Sequence, residues 1–592
     1  MVNFPMVFIA FLFASLSFIY ELMIAQIMAF FTADLFVWCV LIGGVFLGSM
    51  GLGIIWSERS PARSLPIASF VFLNCFQALI GGISVIALYV TFQLTVIFGS
   101  QNYFLASGIP LFLVAFWETV LIGFWAGEGL FLLTDMGQRG GISSAWIRII
   151  YYLGIFAAGV SFVLVPYISS LQIALAAGWA SALLALYSSW GLRDEKDIRP
   201  VILSTVLVIV FGVLLWQASA IEMFFLQKHY SPVKSESSWK DFFVSQGPQA
   251  SLRRYSASRQ QVDFVRFPSG GEEELGQLIR AYHLKEAPNS QQVQNWGLFI
   301  NGALWLSSAF EDFYFETFAH VPVAALGISP KNVLILGGGD GLLAREILKL
   351  SSVKRIDVVD DKAMMEVFGK EPLLRTLNRG SLKDPRVRVV GADTYDFIRR
   401  DRKVYDAIYL EFLDPLDYDS SKLFSQEFLS AVKARLAPQG FIVMAAAGFF
   451  QENGDSSSDD RVVLSRTFLF GTLEASGFET VVPFFSRLEK DNPAALVVMR
   501  KIAGEEKGLA EDMLSTHVGN LRAGFLLVVP RGDIVLKKDF LSPGTLHVLN
   551  EDRYRLSLDP AVHLSPSMDG VNTIFSPQLP RPGSWWKIRS PY

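Results

Sequence analysis

The sequence predicts a multi-pass α-helical membrane bundle of about seven spans, fused to a soluble α/β domain that a small β-hairpin domain precedes. Three observations predict it. Residues 1–220 hold 7 Lys/Arg and 9 Asp/Glu, about 7 % of the segment, whereas about 24 % of the remainder is charged. Apolar runs long enough to cross a hydrocarbon core of ~30 Å recur through those first 220 residues. From 331 to about 500, strand patterns alternate with helical ones, as in a parallel sheet wrapped by helices. This composition excludes a purely soluble enzyme, a disordered chain and a coiled-coil or collagen-like rod. Each half carries a net charge of −2 and no basic run stands out, so a nucleic-acid partner is not expected.

The spans fall at 5–29, 34–56, 65–91, 109–133, 145–167, 170–190 and 200–218. The first is too long for a cleaved signal peptide, and it lacks a basic start and a small-residue cleavage site. Gly44 and Gly48, followed by Gly51 and Gly53, form a GxxxG stripe that predicts close helix packing. Glu21, Glu118 and Glu128 lie within spans with no basic residue at similar depth. They read either as a path for a cationic solute or as carboxyls kept neutral between helices. Arg59, Arg63, Arg139, Arg148, Arg193, Lys196 and Arg199 all fall in loops after even-numbered spans. The positive-inside rule then puts the N-terminus in the cytoplasm and, after seven spans, the soluble part outside it. A re-entrant segment near 92–108 would reverse that side. Cys39 and Cys75 both sit in apolar stretches, so no disulfide framework is expected.

The transmembrane domain is followed by a β-rich piece, 221–325, an α/β piece, 326–504, and an extension, 505–592, whose role the sequence leaves open. Within 296–306, two strand-like runs flank Asn301-Gly302, a dipeptide suited to a two-residue hairpin turn. Stretches 232–250 and 268–295 read as loops, and 524–529 reads as a β-like run. Expected strands of the α/β piece are 332–336, 355–359, 387–390, 405–411 and 440–445. The first runs into Gly337-Gly338-Gly339-Asp340-Gly341 and then a helix, a turn that bends tightly and lets a ligand touch backbone. Asp360 ends the second strand, where an acid can accept from ribose hydroxyls. The third glycine of GxGxxG is absent, which disfavours a dinucleotide. The six histidines show no ligand spacing, so no metal is expected, and neither a serine elbow nor a phosphate loop is present.

Further residues narrow the reading. The string GGGDGxxxRE, Asp384-Pro385-Arg386-Val387, Asp393-Thr394-Tyr395-Asp396, Tyr405-Asp406-Ala407-Ile408, Leu413-Asp414-Pro415, Leu423 to Phe428 and Leu436-Ala437-Pro438-Gln439-Gly440 together resemble the spermidine synthase (polyamine aminopropyltransferase) family. The likeness extends upstream through the hairpin, Glu311, Tyr314, Glu316 and His320-Val321-Pro322, and more weakly to Gln260. The apolar half resembles that family's membrane-bound branch.

The resemblance implies a Rossmann-like sheet and attack by an amine on the aminopropyl carbon of decarboxylated S-adenosylmethionine, with S-adenosylmethionine itself as the other candidate co-substrate. It makes Gln260, Gly337, Gly338, Gly339, Asp340, Gly341, Asp360 and Asp393 the nucleoside-site residues, Asp340 facing the aminopropyl ammonium and Asp393 the adenine amino group. Glu411, where the family has aspartate, and Asp414 would be catalytic. Trp305, Phe315 and Ala445 stand at acceptor-pocket positions that the family fills with polar side chains, as does Phe310. The implied partners are a polyamine-like cation, the lipid bilayer and a second copy or a membrane complex; the implied location is the cell membrane. The cytoplasmic origin of the co-substrate opposes the side that the loop charges favour. Two alternatives remain: a catalytically inactive sensor or assembly partner, and a polyamine carrier using the intramembrane glutamates.

Overall fold

The computed structural model describes residues 3–32, 35–59, 66–99, 108–160, 168–190, 198–230, 251–257, 260–266, 296–300, 303–307, 311–412, 418–446, 460–486, 523–531, 535–537, 546, 549 and 562–563. The apolar half forms helices α1 (Asn3–Thr32), α2 (Leu35–Arg59), α3 (Pro66–Gly99), α4 (Ile109–Arg139), α5 (Ser144–Ala158), α6 (Ser170–Ser189) and α7 (Arg199–Trp216), then a short α8 (Ala218–His229). Six of these are long and apolar enough to cross a membrane; α5, with 15 residues, is not. Of the expected fifth span, 145–167, residues up to Ala158 are helical and 161–167 lie outside the described residues.

Side-chain contacts give the helix directions. On α4, Glu118 and Thr119 face Glu21, while a Cβ at Gly129 would meet the Phe13 ring, so α4 finishes where α1 begins. On α6, Ser181 bonds Tyr20 at 2.8 Å, while Ser170 and Leu171 line a pocket with Gln26, Ile27 and Phe30, so α6 starts at the other end of α1. The connection through α5 thus travels the length of the bundle. Of the stretch 92–108, residues 92–99 continue α3.

The expected GxxxG packing is not what the bundle uses. A Cβ at Gly44, Gly48 or Gly51 would meet nothing within 4 Å, whereas one at Gly53 would stand 1.9 Å from Phe124 O and one at Gly127 1.9 Å from Met50 O. Close approach of α2 to α4 depends on Gly53, the last glycine of the stripe, with Gly123 and Gly127, whereas Gly44, Gly48 and Gly51 meet no neighbour.

Strands β1 (Ser251–Ala257), β2 (Gln260–Arg266), β3 (Trp296–Ile300) and β4 (Ala303–Ser307) form an antiparallel sheet in chain order. The Asn301-Gly302 turn itself lies outside the described residues. Helix α9 (Glu311–Leu326) leads into the second sheet, built from β5 (Asn332–Gly337), β6 (Arg355–Asp360), β7 (Val387–Gly391), β8 (Tyr405–Glu411), β9 (Leu436–Ala445), β10 (Thr480–Ser486), β11 (Ala523–Val529) and β12 (Val562–His563). Its order is β12-β10-β11-β9-β8-β5-β6-β7, parallel from β9 to β7 and antiparallel beyond β9. Alternate residues of β5 feed opposite faces: Val333 and Ile335 join one core, Leu334 and Leu336 the other. Both faces are covered, as a largely parallel sheet requires. The run 524–529 from the C-terminal extension is inserted between β9 and β10, and Lys537 N–H donates to Ala325 O of α9 at 2.8 Å. Part of that extension therefore completes the α/β domain.

Candidate functional site

The chain moves outward from β5 to β6 and β7, then returns to the far side of β5 with β8. A crevice opens at such a reversal, outside the carboxyl ends of the strands. Register brings the key residues there: Gly337 pairs with Glu411, and Asp360 with Gly391.

The turn after β5 requires glycine for two separate reasons. Gly337, Gly338 and Gly341 have φ of 89°, 71° and 81°, the left-handed region that other residues enter at a cost. Their hydrogens also make room for carboxylates. A Cβ at Gly338 would stand 2.7 Å from Glu411 Oε2, and one at Gly339 2.6 Å from Asp360 Oδ2. The turn and the acids are built around one another.

Asp360 is fixed by two backbone donors, Gly339 N–H to Oδ2 at 2.8 Å and Asp361 N–H to Oδ1 at 2.7 Å. Burial nevertheless pushes it up to about 7, against those two donors and with help from the charge of Asp340. Asp340 is buried and accepts from Leu342 N–H at 2.8 Å. Burial raises it to about 6, while the Leu342 N–H, the charge of Arg345 and a hydrogen bond from the Trp305 side chain pull it down. Glu411 is buried, and neither of its carboxylate oxygens has a hydrogen-bond partner among the described residues. Burial first, then the charges of Asp340 and Asp360, raises it well above the usual carboxylate range. Three acids lie close together, and among the described residues none of them forms an ion pair, an arrangement that costs free energy until a positive charge enters.

Some supports were not visible in the sequence motifs. Asn378 Nδ2 donates to Asp340 O at 2.8 Å, and Ser381 Oγ to Gly341 O at 2.5 Å, so the segment before β7 clamps the glycine turn. Behind the turn, Arg345 meets Glu311 at 2.5 Å and Glu346 at 2.8 Å, and Lys349 meets Glu346 at 2.5 Å. These buried ion pairs tie α10 (Leu342–Ile347) to α9. Glu311 and the Arg-Glu pair belong to the sequence motif, but their mutual contact needs the fold.

The remaining expected residues divide. Trp305 touches the site through its hydrogen bond to Asp340, so this replacement supplies a donor to the site instead of simply removing polarity. Phe315 is fully buried and Ala445 nearly so, both in the apolar core that β5 shares with α9. Asp393 lies just beyond β7, exposed, capping helix α11 (Thr394–Arg400) through Asp396 N–H at 2.9 Å and lying 3.6 Å from Lys422 Nζ. Gln260 opens β2, but its side chain lies outside the described residues, as do Asp414 and Phe310. Among the described residues no group of His, Cys, Asp or Glu could hold a metal ion.

The family model for the spermine/spermidine synthase domain matches residues 311–468, the stretch that contains the turn, Asp360 and Glu411. Residues 311–468 therefore carry a spermine/spermidine synthase domain. A polyamine aminopropyltransferase of Oceanobacillus iheyensis is 29 % identical over 409 residues, covering 68 % of this chain and 69 % of its own. Polyamine aminopropyltransferase 1 of Streptomyces coelicolor is 27 % identical over 456 residues and covers 76 % of each chain. That share is more than the residues after position 220 can supply, so the similarity reaches into the helical bundle. The crystal structure of spermidine synthase from Thermotoga maritima aligns with 52 % of this chain and 84 % of its own, at 20 % identity and a TM-score of 0.35.

Proposed function

We propose that this chain is a membrane-embedded transferase that moves the aminopropyl group of decarboxylated S-adenosylmethionine to an amine other than, or in addition to, putrescine. One observation carries the reading: Glu411 presents an unpartnered, buried carboxylate beside Asp340 and Asp360 at the glycine turn. The glycines whose Cβ atoms would strike these carboxylates support a ligand that lies against the turn.

In this reaction Glu411 takes a proton from the acceptor ammonium and frees its lone pair. That pair forms the new N–C bond as the C–S bond breaks, and its electrons remain on sulfur, giving a neutral thioether that needs no acid. Asp340 holds the aminopropyl ammonium, and Asp360 accepts from the ribose. Water exclusion makes each acid stronger as a cation partner than it would be at the surface. Calorimetry on the full chain in detergent tests the reading: decarboxylated S-adenosylmethionine and methylthioadenosine should bind, and S-adenosylmethionine more weakly. Absence of binding at millimolar concentration overturns it.

The Trp305 hydrogen bond to Asp340 favours one second reading, a ligand sensor without turnover, because the tryptophan occupies an acid that catalysis would employ. Ligand binding with no product over a panel of amines would select it.

The six long apolar helices support a multi-pass membrane location. The described basic residues Arg59, Arg139, Arg148 and Arg199 lie toward the end of the bundle where α1 begins, so the positive-inside rule favours that end in the cytoplasm and the α/β part across the membrane. A cysteine at the exposed Arg402, labelled in intact cells by an impermeant maleimide, tests that side; no labelling places the site with the cytoplasmic co-substrate.

A further inference from the structure

The bundle holds a second acidic centre, separate from the glycine turn. Glu21 of α1 is 1 % exposed, and neither of its carboxylate oxygens has a hydrogen-bond partner among the described residues. Thr119 and Glu118 of α4 face it. Ser17 lies one turn away on the same face of α1, and Gln77 of α3 donates to its hydroxyl at 2.5 Å. That bond carries the fully buried Gln77 carboxamide to the face of α1 that bears Glu21, with its own oxygen left unpartnered.

The unpartnered atoms share one chemistry. Both Glu21 oxygens, Glu118 Oε2, Thr119 Oγ1 and Gln77 Oε1 are all oxygens, contributed by three helices. The Thr119 hydroxyl can donate to Glu21, but one donor cannot serve all these acceptors and brings no positive charge; a buried acceptor left unmade costs ~1–3 kcal/mol and a buried anion more. The three helices that form the set supply no cation at this depth: α1 and α3 contain no Lys or Arg, and α4 has Arg139 alone, at its far end. Glu21 stands ten residues inside Phe31, the end of its apolar span, about 15 Å along the helix, beyond the reach of surface lysines.

We propose that Glu21, Glu118, Thr119 and Gln77 form an intramembrane binding site for a primary ammonium group, whose three donors match acceptors arriving from three helices. The proposal rests on the membrane-spanning reading of the bundle but not on the transferase reading of the α/β domain.

Dicyclohexylcarbodiimide, which modifies protonated carboxyl groups in apolar surroundings, provides the test on the full-length protein in lipid nanodiscs. Mass spectrometry should find Glu21 modified in the absence of amine. Putrescine at saturation should slow that modification at least about tenfold, equally in wild type and in Glu411→Gln, while sodium or potassium chloride at the same ionic strength should not. Four results would overturn the proposal: no protection by putrescine, equal protection by the alkali cations, protection that disappears in Glu411→Gln, or a Glu21 that never reacts. Equilibrium dialysis with labelled putrescine adds a second readout. Glu411→Gln should keep one saturable site that Glu21→Gln/Glu411→Gln lacks, and a double variant that still binds contradicts the site even if its fold is intact. Failure of the transferase reading would show differently, as loss of binding at the α/β domain with the Glu21 protection preserved.

Discussion

The three site acids show how one residue's environment sets its chemistry. Asp340, Asp360 and Glu411 are ordinary carboxylates in sequence, yet burial lifts Asp340 to about 6 and Asp360 to about 7. Each therefore binds protons more tightly in the folded protein than at the usual carboxylate value of about 4. Their contribution to stability is present below about pH 4 and is lost as pH rises through 6 to 7. Thermal melts of the ligand-free chain should fall across that window, and Asp360→Asn should flatten the slope; an unchanged slope contradicts the assignment. Binding of the sulfonium co-substrate should run the opposite way and strengthen between about pH 5 and 7.5, because the cation selects the ionised acids. Asp393, by contrast, is exposed and serves as a helix cap.

At the scale of elements, the glycine turn decides whether the site exists. Alanine at Gly338 would need a φ of 71° and would put its Cβ 2.7 Å from Glu411 Oε2. We expect Gly338→Ala to cost about 1–3 kcal/mol of stability in melts and to weaken methylthioadenosine binding more than tenfold in calorimetry. The turn was legible in the sequence, because strand, glycines, acid and helix are contiguous there. So were the five parallel strands, whose apolar runs mark them individually. The clamp of Asn378 and Ser381 on that turn was not legible, since its partners lie 38 and 40 residues away. Nor was the direction of the Gly44-Gly48 stripe, because a spacing on one helix does not say which neighbour it meets. Phe315 and Ala445 were assigned to an acceptor pocket by position alone, and both are buried in the fold.

Across the whole molecule, bundle and sheets are joined by a buried ionic knot. Arg254 of β1 grips Asp263 of β2 with two bonds of 2.7 Å, reaches Glu222 of α8 at 2.9 Å, and lies over the Phe30 ring of α1. Tyr230 closes it with a 2.6 Å bond to Asp263. The next residue, Tyr255, bonds Glu371 in the α/β domain at 3.0 Å, so one strand touches both halves. Arg254→Met leaves Asp263 and Glu222 buried without their cation and should destabilise the full chain by about 3–5 kcal/mol in denaturant melts; a neutral effect would show that the halves are held together elsewhere. Charge composition had divided the chain in two, and it could not reveal this joint, whose members are scattered over α1, α8 and the first two strands. The account as a whole is tested most directly by methylthioadenosine release from the full-length protein given decarboxylated S-adenosylmethionine and a panel of amines. It predicts one methylthioadenosine per aminopropylated amine and a loss on the order of 100-fold in Glu411→Gln. No release with any amine, or equal release by the variant, would contradict it.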